Sequence, residues 1–375
     1  MSPFVLLSAL LHFYVGWRIV PALVPAAGIA FSVLLIASAL LMPMTLLARR
    51  VQRQPLADRL AWAGSLAMGL FSSLFVLTLL RDVVLLVLTL AALVMPLAWL
   101  PGFERDSALA VPLLGLLATA IGYWNARRTA AVVEVDVPIA GLPAALHGFT
   151  IAQISDIHVG PTIKGQYLRR IVAAVNRLRA DMVAVTGDLV DGSVPELASH
   201  VAPLAELASR HGTYFVTGNH EYYSGADGWV VELRRIGLNV LMNEHVVVRH
   251  EGAEMVVAGV TDYSAHHFDP AQRSDPQAAI AGAPSGVGAR VLLAHQPRSA
   301  DAAERAGFDL QLSGHTHGGQ FWPWNLFVPL QQPFTAGLNR LRRLWVYTSR
   351  GTGYWGPPKR FGAPSEITRL RLVAG

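Results

Sequence analysis

The stretch "GFTIAQISDIHVG", residues 148–160, decides the fold. Its first eight residues make a strand-length apolar run, and the chain turns polar at once with Asp156-Ile157-His158. The same construction recurs in "DMVAVTGD" (181–188), "GTYFVTGNHE" (212–221), "ARVLLAH" (289–295) and "FDLQLSGHTH" (308–317). "AVVEVDVPI" (131–139), "EMVVAGV" (254–260) and "RLWVYTS" (343–349) add further β-rich runs. The first of these alternates apolar and acidic residues, as an edge or surface strand does. Helical patterns over 163–180, 194–210, 226–236 and 298–306 fall between several of the runs, and that alternation predicts an α/β domain. Ligands of such sheets bind beyond the carboxyl ends of the strands. The polar residues just after each run are therefore the first place to look for chemistry.

Those strand ends bring forward Asp156, His158, Asp188, Asn219, His295, His315 and His317. Singly, each has an ordinary role: Asp156 can cap a turn, Asp188 and Asn219 can form Asx turns, and His295 can be a buried partner. Together they form an edge of carboxylates and imidazoles that repels itself without a cation. The chain has no cysteine, which excludes disulfides, thiolate nucleophiles and thiolate metal sites. Seven nitrogen and oxygen donors suit Mn, Fe, Zn, Co or Ni. They exceed what one tetrahedral ion uses, and two ions sharing a bridging carboxylate fit the count. Such a pair, ~3.5–4 Å apart, clamps a phosphate and activates water for in-line displacement.

The blocks "DIH", "GDLVDG", "GNHE", "AH" and "GHTH" resemble, in order, the five signatures of the calcineurin-like metallophosphoesterases. "QISDIHVG", "GHTHGGQ" and "SRGTGYWGPPKRFGAPSEIT" resemble more narrowly the YkuE-like, membrane-associated branch, over roughly residues 132–373. The resemblance implies a four-layer α/β/β/α sandwich with a dinuclear site, with manganese the ion expected to serve in vitro. It implies Asp156, His158, Asp188 and His317 on the first metal, and Asp188, Asn219, His295 and His315 on the second. His220 is then the catalytic residue, contacting a phosphoryl oxygen and either stabilising the transition state or protonating the leaving group.

The N-terminal third is of another kind. The chain is 53% hydrophobic and 15% charged, with a formal net charge of +5. Residues 1–130 hold nine Lys/Arg against four Asp/Glu, and residues 131–375 hold 21 against 21, so the excess of five lies wholly in the first part. Beside apolar segments, that excess does not indicate nucleic acid, and none is expected as a partner. Segments 3–23, 26–48, 60–80, 83–100 and 107–124 are each near the ~20 residues of a membrane-crossing helix. "MSPFVLL" lacks the basic leader of a secretory signal. The expected organisation is an all-α, multi-span membrane region over 1–125, a linker and leading strand over 126–148, and the metal-binding domain over 149–375. Arg49, Arg50, Arg53 and Arg59 mark one loop as cytoplasmic. At "LTLLRDVVLLV" (77–87) the reading forks. Arg81-Asp82 is either a hairpin between two spans, for five crossings, or an ion pair within one long helix, for four. The side of the catalytic domain stays open with that fork, in a bacterial plasma (inner) membrane.

Glu221 is read as orienting a histidine or capping a turn, with simple surface exposure the alternative, Asp262 as a turn residue or a support to a metal ligand, and His266-His267 as solvated. "GGQFWPWNLFVPLQQPF" (318–334) sets aromatics and prolines after the H-x-H pair, with Arg340, Arg342, Arg343, Lys359 and Arg360 further on. This predicts either a proline-rich loop packed on the domain or an apolar, basic rim suited to an acyl-bearing phosphate, with Arg360 as the substrate contact. The expected function is a bilayer-anchored phosphohydrolase of a phosphodiester or pyrophosphate, either a UDP-diacylglucosamine-type lipid or a phospholipid. A tethered hydrolase of soluble nucleotides and a non-catalytic phosphate sensor are the alternatives.

Overall fold

The computed structural model describes residues 3–48, 51 and 53–375. It divides into two compact units, residues 1–127 with 356–361, and residues 128–355 with 362–375. Arg49 and Arg50 lie outside the described residues.

The first unit is helical: α1 (Pro3–Ile19), α2 (Pro25–Leu41), a short α3 (Met44–Leu47), α4 (Leu56–Ala92) and α5 (Leu100–Arg127). Prolines at the start of α2 and before α4 are tolerated because first-turn amides have no intrahelical partner. Among the described residues, four helices are long and apolar enough to cross a membrane: Phe4–Ala22, Pro25–Leu47, Leu56–Ala92 and Leu100–Arg127. Their outward faces carry Phe13, Ile36, Leu86, Leu113 and Trp124 in the open, the pattern of helices solvated by lipid rather than water.

The fork at Arg81-Asp82 resolves into one continuous α4 of 37 residues, about 55 Å at the α-helical rise. The charges do not end the helix because neighbouring helices match them. Asp82 Oδ2 accepts from Arg18 Nε at 2.8 Å and from the Tyr14 hydroxyl at 2.7 Å on α1. Arg81 donates to Glu104 O at 2.8 Å and Ser107 Oγ at 3.0 Å on α5. Residues 356–361 belong to this unit too. Lys359 Nζ donates to Gly69 O at 2.9 Å and Ser73 Oγ at 2.5 Å, and the Arg360 amide to Gly122 O at 2.8 Å.

The second unit contains two six-stranded mixed sheets. The first runs β1 (Ala131–Ile139), β12 (Glu366–Ala374), β2 (Thr150–Ile154), β3 (Met182–Val185), β4 (Thr213–Phe215), β5 (Asn239–Val240). The second runs β10 (Gly337–Leu341), β11 (Leu344–Thr348), β9 (Leu310–Ser313), β8 (Ala289–Leu293), β7 (Ala253–Gly259), β6 (Glu244–His250). β1 is an edge strand, as its alternation predicts, and pairs in parallel with β12. The sheets face each other across one core in which Ile151, Met182 and Ala184 meet Val257, Val291, Leu312 and Tyr347. Helices α10 (Pro276–Ile280) and α11 (Ala300–Arg305) cover the outer face of the second sheet through Ala279, Ala300 and Ala303. The first sheet is flanked by α6 (Gly165–Arg177), α7 (Val194–Val201) and α9 (Ala226–Arg235), and a one-turn α8 (Asn219–Tyr223) follows β4. This is the expected four-layer α/β/β/α sandwich. The carboxyl ends of β2, β3, β4, β8 and β9 carry the polar blocks.

Trp229 on α9 is wholly buried, and its indole Nε1 donates to Gly192 O at 2.9 Å. Trp229→Ala leaves both a cavity and an orphaned carbonyl. It is expected to destabilise this unit by ~3–5 kcal/mol, read as a lowered midpoint in thermal unfolding.

Candidate metal centre

The polar blocks converge because each strand ends in a turn that ordinary backbone cannot make. Asp156, His158, Asp188, His315 and His317 all have φ between 50° and 70°. Asp and His tolerate this left-handed region better than most side chains, though at a cost of order 1–3 kcal/mol each. Glycines next to them provide the remaining clearance. A Cβ on Gly218 would overlap the Asp188 carboxylate, and one on Gly314 would overlap Ser155 Oγ and Asp156 Oδ2.

Among the described residues three groups result with ligand atoms within 4.8 Å of one another; the expected donors form two of them, Asp156–His158–His317 and Asp188–His295–His315, and His158–Asp191–His220 is the third. In the first, His158 Nε2 and His317 Nε2 are 3.0 Å apart, and His317 Nε2 is 3.6 Å from Asp156 Oδ1. In the second, His295 Nε2 is 3.1 Å from Asp188 Oδ2 and 3.2 Å from His315 Nδ1. Asp188 Oδ2 also lies 3.9 Å from His158 Nε2, so this carboxylate reaches toward both triads. Asp156 Oδ2 and Asn219 Oδ1 are buried and make no hydrogen bond among the described residues. Buried oxygens without donors, beside imidazole nitrogens aimed at one another, fit cations and little else.

The electrostatics are those of a site built for positive charge. Burial opposes ionisation of Asp188, yet the His295 imidazole holds its carboxyl well below the usual range. His295 is the counterpart: burial works against its charge, and Asp188 outweighs it and raises the imidazole well above the ordinary value. Burial, then the charge on His295, pushes His315 down to about 3. Burial lifts Asp156.

Two further groups hold the centre. Glu221 is fully buried, not surface-exposed. Its carboxylate accepts the amides of Asp188 (3.0 Å), Leu189 (2.7 Å), Val190 (3.2 Å) and Gly218 (2.6 Å), clasping the β3 and β4 turns together. Burial and the Asp188 charge push its carboxyl up to about 8, and the four donors pull the other way. Asp191, in the "GDLVDG" block, is the functional residue that reading the sequence misses. Its Oδ1 is 2.6 Å from His220 Nδ1 and 3.1 Å from His158 Nδ1. Burial opposes its charge, but the two histidines hold it well below the carboxylate range. Burial likewise opposes a charged His220, yet the bond to Asp191 and the field of Asp188 raise it to about 9. The signal for Asp191 is its three-residue spacing from Asp188, which puts both carboxylates on one tight turn.

His220 itself sits between the half-exposed ring of Trp355, with centroids 5.6 Å apart, and the exposed Tyr223, at 5.2 Å. Gln320 ties Trp355 in place by donating to its carbonyl and accepting from its amide, both at 2.8 Å. Asp262 accepts from the Ser264 amide and from Gln296, as a turn residue does. His266 and His267 stack on each other outside the metal triads. Arg360 and Lys359 are 1% and 2% exposed and lie in the helical unit, whereas Arg340, Arg342 and Arg343 are exposed.

Two outcomes follow from this geometry. Gly218→Ala is expected to lower bound metal, measured by elemental analysis, because the new Cβ displaces Asp188. Asp191→Asn is expected to keep most of the metal while lowering kcat ~10–100-fold.

A family model described as calcineurin-like phosphoesterase matches residues 149–319. A "Transmembrane protein with metallophosphoesterase domain" from Danio rerio is 40% identical over 279 residues, 72% of this chain and 63% of that protein. Its namesake from Bos taurus is 39% identical over 300 residues, 74% of this chain and 67% of that one. The "Uncharacterized metallophosphoesterase YkuE" of Bacillus subtilis is 28% identical over 277 residues, 69% of this chain and 92% of that one. The chain thus spans a little under two thirds of the zebrafish relative. Metallophosphoesterases work with a dinuclear divalent centre, the arrangement to which the paired triads here correspond. The chain belongs to the calcineurin-like metallophosphoesterase family.

Proposed function

We propose that this chain is a bilayer-anchored hydrolase of a phosphodiester or pyrophosphate that carries a lipid, such as a UDP-diacylglucosamine-type molecule or a phospholipid. Asp156, His158, Asp188 and His317 would hold one divalent ion, and Asp188, Asn219, His295 and His315 the other. The bound ions supply Lewis acidity toward the phosphoryl group and lower the pKa of water. The chain's own residues do the rest. Asp191 fixes Nδ1 of His220 as a donor and favours the imidazolium, which leaves Nε2–H to donate. Water releases a proton to solvent as it forms the new P–O bond, the ester or anhydride P–O bond breaks, and the departing oxygen takes a proton from His220 Nε2, which is regained from solvent.

One observation carries the lipid part of this reading. Beyond the H-x-H turn, Trp322, Trp324, Leu326, Phe327 and Leu330 all stand exposed in a single loop. Contiguous exposed apolar surface on that scale marks an interaction site, and an acyl chain suits it better than a soluble nucleotide.

The topology follows from the same chain. Four crossings return it to the side it started from, with Arg127 and Arg128 leaving α5 on the side of the Arg53–Arg59 loop. By the positive-inside rule that side is cytoplasmic. A reporter fused after residue 375 is expected to read out as cytoplasmic in a bacterial plasma membrane; an external readout sinks the four-crossing reading.

The full-length protein in detergent is expected to hydrolyse bis-p-nitrophenyl phosphate with added Mn and to stop on chelation. Asp188→Asn and His220→Ala should each lower kcat by at least ~100-fold. Full activity in either variant overturns the assignment. A lipid pyrophosphate should be turned over with a higher kcat/KM than its deacylated form. Equal values leave a tethered hydrolase of soluble diesters, and binding without phosphate release leaves a sensor.

A further inference from the structure

The helical unit contains a groove that the phosphoesterase chemistry does not use. It has a volume of about 540 Å³ and runs between α1 and α2, from Ala9 to Pro21 on one wall and from Ser32 to Leu40 on the other. The first wall is about twelve residues long, ~18 Å at the helical rise. Small residues, Ala9, Gly16, Ser32 and Ala39, line part of the groove. Its rim is apolar, with Phe13, Trp17, Ile36 and Leu40 all more than half exposed. Its floor is closed by His12, which is 4% exposed, bonded through Nε2 to Ser38 Oγ at 2.9 Å and stacked on Phe71 at 3.8 Å.

The groove has one polar end. Trp17 lines it two residues before the end of α1, and the guanidinium of Arg18 lies over the Trp17 ring, 5.5 Å from its centroid. Only Nε of Arg18 is committed, to Asp82 at 2.8 Å; its two Nη groups make no hydrogen bond among the described residues. The side chain is 34% exposed. A tryptophan and an arginine at a helix end mark headgroup level in a bilayer. From there the groove descends past Gly16, Phe13 and His12 to Ala9. A cation at the headgroup and a furrow of acyl-chain length below it match one molecule at both ends.

We propose that the α1–α2 groove binds an anionic phospholipid, with its phosphate on the Nη groups of Arg18 and one acyl chain lying along the groove to Ala9. Two features select the occupant. The surrounding surface is lipid-facing, so the groove is filled from the bilayer. The guanidinium fork pairs a phosphodiester by two parallel donors, and a zwitterionic headgroup would bring a compensating positive charge to the same place. The site belongs to the helical unit alone and is independent of which substrate the catalytic unit takes.

Full-length protein, delipidated in detergent and titrated with phosphatidylglycerol or phosphatidylcholine, provides the test by native mass spectrometry. The wild type is expected to retain one phosphatidylglycerol about 10-fold more tightly than phosphatidylcholine. Arg18→Gln should abolish that preference. Ala9→Phe fills the groove from an exposed position and leaves the Arg18–Asp82 pair intact, so it should lose the bound lipid without loss of helical content. The proposal is overturned if phosphatidylcholine binds equally well, or if Ala9→Phe keeps wild-type retention. Arg18→Lys, which keeps the charge and loses the fork, should fall between wild type and Arg18→Gln; retention no better than Arg18→Gln would contradict a charge-read headgroup.

Discussion

The catalytic unit depends on the Glu221 carboxylate. It accepts four backbone amides from two turns that follow different strands. Those turns carry Asp188 and Asn219, and between them they also set Asp191 and His220. Each amide would otherwise be a buried donor without a partner, at a cost of ~1–3 kcal/mol. A single side chain thus satisfies the backbone of both loops and fixes their spacing. The left-handed residues that aim the ligands can persist because this clasp and the glycine contacts leave the turns no other arrangement.

The strand runs and the residues at their ends are legible in the sequence because the β-period and abrupt polar stops are local signals. Six of the seven donor residues at those ends gather in the two triads, and β1 takes its edge position. What escapes is non-local or non-periodic. β5 is two residues long, and "EHVVVRH" of β6, charged at both ends, is not among the runs that stand out before it pairs with β7. Asp191 stands out little on its own, since its role exists only where the "GDLVDG" turn meets His158 and His220. Glu221 is equally consistent with exposure, because four amides from two loops leave no trace in the residues around it. The left-handed φ values at the ligands are also unreadable, although the choice of Asp and His over β-branched residues is what permits them.

In the helical unit the ambiguity at Arg81-Asp82 is real. A charged pair within an apolar run can turn the chain or stay in it, and periodicity does not decide. The deciding groups are Arg18 and Tyr14 on α1 and Ser107 and the Glu104 carbonyl on α5, which come from segments far away in sequence. Once they satisfy both charges, breaking the helix would only expose further amides and carbonyls to lipid. The same matching leaves the Nη groups of Arg18 without a hydrogen bond among the described residues, near one end of a largely apolar furrow.

The hexapeptide Gly356–Phe361 makes the chain indivisible by a single cut. It follows the last residue that flanks His220, yet its Lys359 and Arg360 are housed by Gly69, Ser73 and Gly122 of the helices. A soluble fragment beginning near residue 128 would keep every metal donor and strip that segment of its lodging. Two cations and a phenylalanine would then face water next to the Trp355 that adjoins His220. Loss of activity in such a fragment would reflect the excision and say nothing against the metal site.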